Sequence, residues 1–179
     1  MKIVIINGCA RSGKDTFISF CQEFDPKNTD GTKQIYNIST VDPIKQLAYQ
    51  IGWNGEKTER ARLFLSDLKD ITSAFCNYST NWVINELKDI NSNGGKLVFI
   101  HSREPEDINN LKKILSKDYE VTTLLIRREM AEERAPNNHA DREVLNYNYE
   151  GTILNNTTLD NLKTAAKIYL KHIGFKTTN

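Results

Sequence analysis

Ile3, Val4, Ile5 and Ile6 form an unbroken apolar run, and the apolar positions then shift to helical spacing, with Phe17, Ile18, Phe20, Cys21 and Phe24 along one face. That pattern predicts a strand, a loop and a helix. Asp25-Pro26 stops the helix, Asp30-Gly31 marks a turn, and residues 34–39 predict a second strand. From Asp42-Pro43 the period is helical again. Ile44, Leu47, Ala48 and Ile51 form a first stripe, Ala61, Phe64, Leu65, Leu68, Ile71 and Phe75 a second, and Trp82, Val83, Leu87 and Ile90 a third. Asn93-Gly94-Gly95 then breaks the chain before the apolar strand run of residues 96–102. Pro105 opens a helix bearing Ile108, Leu111, Ile114 and Leu115, and residues 120–126 predict a fourth strand. Residues 127–147 are polar and aperiodic, and residues 150–154 predict a fifth strand. Thr157-x-x-Asp160 has the form of a capping box for a last helix carrying Leu159, Leu162, Ala166, Tyr169 and Ile173.

Strands alternating with helices predict a three-layer α/β/α arrangement around a five-stranded parallel sheet, with ligands at the carboxyl ends of the strands. The loops after Ile6, Ser39, Ile100 and Ile126 should border one crevice. At 179 residues, 39% apolar and 26% charged, one domain over 1–179 is expected. Lys plus Arg number 24 against 23 acids, and a net charge of +1 gives no field that would hold a nucleic acid polymer. No apolar run approaches the roughly 20 residues of a membrane span, and no basic-then-apolar leader is present, so a cytoplasmic protein is expected. Cys9, Cys21 and Cys76 lack paired spacing, which argues against a disulfide frame or zinc site, and Cys21 and Cys76 read as core positions.

The segment that changes the picture is Gly8-Cys9-Ala10-Arg11-Ser12-Gly13-Lys14-Asp15-Thr16, placed between the first strand and the first helix. Gly8, four residues, then Gly13-Lys14 supplies what a triphosphate needs: inward-turned amides, a helix N-terminus and an ammonium. Arg11, Ser12 and Thr16 belong to the same loop. The hydroxyl that usually follows the lysine is replaced by Asp15, and Thr16 comes one place later.

Gly13-Lys14-Asp15-Thr16 resembles the loop of P-loop nucleoside monophosphate kinases, and in particular the Gly-Lys-Asp-Thr of bacteriophage deoxynucleoside monophosphate kinases. The resemblance continues along the chain. Ser39-Thr40-Val41-Asp42-Pro43-Ile44-Lys45 is similar to their segment near the monophosphate acceptor, and Val98-Phe99-Ile100-His101-Ser102-Arg103 to their strand ending in Asp-x-Arg. Asn155-Asn156-x-Thr158-Leu159 resembles their final strand-to-helix turn. Phe99 to Glu106, Phe64 to Asp70 and Asn146 to Tyr149 also resemble P-loop kinase-like proteins of Firmicutes and their phages. The resemblance implies a P-loop NTPase fold, ATP and Mg²⁺ as cofactors, small nucleotide substrates, a helical acceptor-binding region over 40–92 and a lid-like loop over 127–147. It departs at His101, which stands where those enzymes have an acid. Imidazole is a poor ligand for a hard cation, so Asp15, Glu104 or Asp42 is expected to hold the metal's waters, with Asp15 preferred because the loop positions it.

Phosphoryl transfer needs positive charge around the moving group more than it needs a nucleophile, which directs attention to Lys14 and the arginines. Arg103 should enter the crevice from the end of the third strand, or else pair with Glu104 or Glu106. Arg127, Arg128 and Arg134 would close over phosphates, or else lie on a solvated loop. Asp42 and Lys45 would meet the acceptor, although Asp42 before Pro43 also suits a helix cap. Lys14, Asp15, Arg103 and Arg128 are the expected catalytic set. His139 and His172 read as surface residues, and Trp53 and Trp82 as core. The expected activity is transfer of the γ-phosphate of ATP to a nucleoside or deoxynucleoside monophosphate. Another small metabolite as acceptor, or nucleotide binding without turnover, remains open.

Overall fold

The computed structural model describes residues 1–133 and 143–178, so Arg134 and His139 lie outside the described residues. In chain order the elements are β1 (Lys2–Asn7), α1 (Lys14–Glu23), β2 (Ile35–Ser39), α2 (Asp42–Gln50), α3 (Glu59–Cys76) and α4 (Tyr78–Ser92), followed by β3 (Leu97–His101) and α5 (Pro105–Leu115). Then come β4 (Glu120–Arg127), α6 (Glu129–Glu133), a 3₁₀ turn at Val144–Asn146, β5 (Gly151–Leu154) and α7 (Leu159–His172). The five strands form one sheet in the order β2-β3-β1-β4-β5. Every neighbouring pair is parallel. The expected strands are all present, with the second and fifth one residue shorter at the start, the third one shorter at each end and the fourth one longer.

Alternation along β1 explains why its sequence is apolar throughout. Val4 and Ile6 point to one face, where α1 and α7 supply Phe17, Ile18, Cys21, Leu162, Ala166 and Leu170. Ile3 and Ile5 point to the other, where α4 and α5 supply Val83, Leu87, Ile90, Ile108 and Leu111. A parallel strand covered on both sides has no polar face. Burying each such aliphatic side chain contributes about 1.5–3 kcal/mol before entropic costs. Phe17 meets Phe99 edge-on at 6.3 Å and so ties α1 to β3 across the sheet. Asp25, 7% exposed, accepts the amides of Lys27, Gln34 and Ile35 and thereby joins the end of α1 to the start of β2. Among the described residues, no helix is long and apolar enough to cross a membrane.

Some local expectations change. The stripe along α3 is covered only in part: Ala61 is buried, Phe64, Leu65 and Leu68 are half-buried, and Ile71 and Phe75 are 68% and 89% exposed. Helical period identifies residues that share a face, but α2 spans 9 residues against 18 in α3, too short to flank the whole helix. Cys76, at the end of that helix, is exposed rather than core, whereas Cys21 is buried as expected. The cap of α7 is Thr158, whose hydroxyl accepts the Asn161 amide at 3.3 Å, and not Thr157. Leu159, first residue of that helix, is 65% exposed. Trp82 packs half-buried on the α4–α5 side of the sheet, and half-buried Trp53 lies against Tyr49 with ring centroids 4.7 Å apart. Within 127–147 the described part contains α6 and the 3₁₀ turn instead of aperiodic chain.

Candidate functional site: the phosphate loop and its frame

Register sets the layout at the carboxyl edge of the sheet. Ile6 and Ser39 both lie opposite His101, and Asn7 lies opposite Leu125. The loop from Gly8 to Gly13 leaves the central strand β1, with β3 on one side and β4 on the other. This is where strand order reverses, the usual place for a ligand in such a sheet.

The glycines have steric reasons to be there. Gly13 adopts a left-handed φ of 95° at the N-cap of α1, and a Cβ on it would strike the Asn155 carboxamide. A Cβ on Gly8 would meet the Ile126 carbonyl and lie 2.6 Å from Ser12 Oγ. Among the described residues no side chain caps α1 at Gly13, and the positive end of the helix dipole lies at the loop. The Lys14 ammonium turns back over the loop, 2.6 Å from the Gly8 carbonyl and 3.4 Å from that of Cys9. Ser12 Oγ is buried with no hydrogen-bond partner among the described residues. Arg11 is exposed at φ 65°, and Thr16 is half-buried in the first turn of α1. Space reserved by two glycines, an orphaned hydroxyl, a helix N-terminus and an ammonium together fit a polyphosphate.

Two buried carboxamides hold this loop, and neither was assigned a site role from the sequence, although Asn155 opens the segment that resembles a final strand-to-helix turn. Asn7, fully buried, accepts the Gly8 amide at 2.8 Å on Oδ1. Its Nδ2 donates to the Arg103 carbonyl at 2.8 Å and to Tyr149 Oη at 2.7 Å. Tyr149 Oη in turn donates to the Val144 carbonyl at 3.0 Å. Burial, eased by the Asn7 bond, pushes the Tyr149 phenol up to about 12, so it stays protonated at neutral pH. Asn155 donates to the Ser12 carbonyl at 2.9 Å, and its own amide reaches the Arg127 carbonyl at 2.7 Å. Asn156 accepts the Glu129 amide at 3.0 Å. The hints in the chain were the polar residue that ends β1, the segment Asn146 to Tyr149 and the Asn155-Asn156 pair.

Around the loop, Asp15 is 90% exposed, and its Oδ1 lies 3.7 Å from Nε2 of His101, which is itself largely covered. Burial, together with nearby Lys14 and Arg103, holds the imidazole below the usual histidine value despite Asp15 and Asp42. His101 is therefore mainly neutral at pH 7. Asp15 fits a role as an outer holder of a hydrated cation. Glu104 is drawn away from such a role, because it pairs with Lys69 of α3, as does Asp107 at 2.6 Å. Asp42 accepts the Ser39 amide at 2.8 Å and lies 3.7 Å from Lys45, so its carboxylate stabilises the β2–α2 corner. Among the described residues, no three His, Cys, Asp or Glu side chains converge as a metal site.

The arginines separate by environment. Arg103 is exposed, directly beyond β3, and its guanidinium has no hydrogen-bond or ion-pair partner among the described residues. Arg127 is held by Glu132 in a two-pronged pair at 2.9 and 2.7 Å. Arg128 is exposed at the start of α6, with its carbonyl accepting the amides of Ala131 and Glu132.

No family model matches the chain, and no curated protein is similar to it. Solved structures are. A tunicamycin resistance protein of Deinococcus radiodurans superimposes with a TM-score of 0.61 at 10% identity, covering 99% of this chain and 98% of that one. The Mycobacterium tuberculosis APS kinase CysC in complex with AMPPNP and APS gives 0.49 at 12% identity, covering 95% and 97%. Thymidylate kinase of Ehrlichia chaffeensis gives 0.44 at 12% identity, covering 94% and 98%. At 10% identity the likeness to the first of these is one of fold: the chain is an α/β protein with a five-stranded parallel sheet and helices on both faces.

Proposed function

We propose that this chain is an ATP-dependent phosphotransferase whose acceptor is a nucleoside or deoxynucleoside monophosphate. The observation that carries the reading is the phosphate loop with Arg103 beside it, the Arg103 backbone tied to the loop through Asn7 and its exposed guanidinium without a partner among the described residues. Gly8 to Thr16, with Lys14 over the loop, would hold the triphosphate of ATP. Mg²⁺, when bound, would neutralise charge on the phosphates, and Asp15 would hold its waters. A guanidinium grips phosphate oxygens in a two-pronged geometry that an ammonium lacks, and among the described residues Arg103 has no partner to give up before doing so. Arg128 is equally exposed, whereas Arg127 would have to leave Glu132 first. Asp42 and Lys45 border the acceptor side. The protein acts in this reading as one domain on small molecules in the cytoplasm.

The test is a coupled assay of ADP release across the common ribo- and deoxyribonucleoside monophosphates. At least one should accelerate ADP release well above the ATP-only background. Arg103→Lys should lower kcat at least tenfold, about 1.4 kcal/mol of transition-state stabilisation, with ATP affinity little changed. If no monophosphate stimulates release, that acceptor class is wrong. His101 in place of an acid favours one second reading, nucleotide binding without turnover. ATP binding by calorimetry with no product under any acceptor, including other phosphorylated metabolites and small alcohols, would establish it.

A further inference from the structure

We infer that Asn7 is a positioning residue that sets Arg103 in register with the phosphate loop, and that Tyr149 anchors it. The inference rests on the reading of Arg103 as a phosphate-binding group, and its own evidence is the hydrogen bonding of one side chain. A carboxamide has one acceptor end and one end with two donors. Asn7 uses all of these: Oδ1 takes the amide of Gly8, the first residue of the loop, and Nδ2 gives one hydrogen to the Arg103 carbonyl and the other to Tyr149 Oη. The orientation is forced, because the flipped amide would set oxygen against the Arg103 carbonyl and NH₂ against the Gly8 amide.

The residue is poorly explained by stability. It ends a run of Ile and Val on a fully buried strand, where asparagine is disfavoured and an apolar side chain would bury without desolvating an amide. What an apolar residue cannot do is bridge two loops from different strands. β1 and β3 are paired along their length, but the ladder's last matched pair is Ile6 with His101. Beyond it, the Ser102 amide reaches the Ile6 carbonyl only at 3.4 Å, and past that point the Asn7 carboxamide replaces the ladder. Tyr149 passes the tie to the Val144 carbonyl, in the small apolar cluster of Cys9, Leu125 and Val144. The carboxamide is thus held from a third side and cannot swing with either loop.

A substitution cycle tests this. Asn7→Leu, of similar volume, should lower kcat at least tenfold while the KM for ATP changes less than threefold. In an Arg103→Lys background the same change should cost less than threefold further, because Asn7 acts through Arg103. Tyr149→Phe, a milder change that keeps the ring, should lower kcat about threefold in the wild type and have no effect beside Asn7→Leu. Equal losses in both backgrounds, or a loss of thermal stability with kcat unchanged, would overturn the inference. Hydrogen exchange supplies a reading independent of turnover. In Asn7→Leu and Tyr149→Phe the amides of Gly8 and Ser102, bonded to the Asn7 carboxamide and to the Ile6 carbonyl, should exchange at least tenfold and threefold faster respectively, with those of Ile3 to Ile5 unchanged. A wild type without ADP release but with this exchange pattern would remove the proposed activity and keep the positioning role; unchanged exchange in both variants would remove the positioning role.

Discussion

Gly13 and Asn155 lie 142 positions apart in the chain, yet the structure makes each the reason for the other. The left-handed φ of 95° already disfavours any side chain at residue 13, and the carboxamide that bonds the Ser12 carbonyl occupies the space a Cβ would need. Gly13→Ala should therefore destabilise the fold by about 1–3 kcal/mol, from left-handed strain together with the steric clash. Adding Asn155→Ala should return part of that loss, since it vacates the space, while nucleotide affinity stays low in both. Urea unfolding of the single and double variants measures this, and a loss additive between the two sites would show that the contact is unimportant. The glycines and Lys14 were legible because their spacing is a local pattern. Asn7, Tyr149 and Asn155 were not, because each acts by a side-chain bond to backbone far away in sequence, which leaves no period to read.

Among the elements, α6 shows how an expected phosphate ligand can serve its own helix. Arg127, last residue of β4, grips Glu132 with both prongs, and this bond holds the Glu132 carboxyl below its usual range. A carboxylate with a depressed folded pKa contributes stability above its unfolded value, near 4.5, and loses that contribution as pH falls through the lower folded value. Glu132→Gln should thus cost about 1 kcal/mol at pH 7, a modest figure because the Arg127 side chain is 39% exposed. The difference from wild type should shrink steadily below about pH 4.5 and vanish in strong acid. Thermal unfolding across pH 3–7 checks it, and a difference that does not depend on pH would mean that packing, and not the ion pair, is what the substitution removes. The strands were easier to foresee than such pairings. Burial on both faces makes a central parallel strand a continuous apolar run, as in Ile3 to Ile6 and Leu97 to Ile100. The stripe on α3 misled toward full burial because amphipathic period is intrinsic to a helix, while its cover depends on the lengths of neighbouring helices.

Across the molecule, the loop joins the central strand to a helix that packs on the core, so ligand binding and global stability should be linked. ATP with Mg²⁺ at 100 times its Kd should stabilise the fold by about 2.7 kcal/mol, read as a rise in Tm. Lys14→Ala should abolish that rise, since the ammonium turns back over the Gly8 and Cys9 carbonyls of the loop that would hold the phosphates. An undiminished rise in Lys14→Ala would contradict the loop's role. What the chain determined by itself were local matters: strand and helix periods, the glycine loop between the first of each, and the helical interval between β2 and β3. These follow from nearest-neighbour sterics and from the solvation of one face, which a short stretch of sequence contains. Tertiary structure alone decided that Arg103 stands beside the loop with no partner among the described residues while Arg127 is engaged, that Glu104 turns to Lys69, and that His101 is covered and mainly neutral. Each of those depends on which distant group arrives within a few ångströms. Strand order and register, not composition, set that distance.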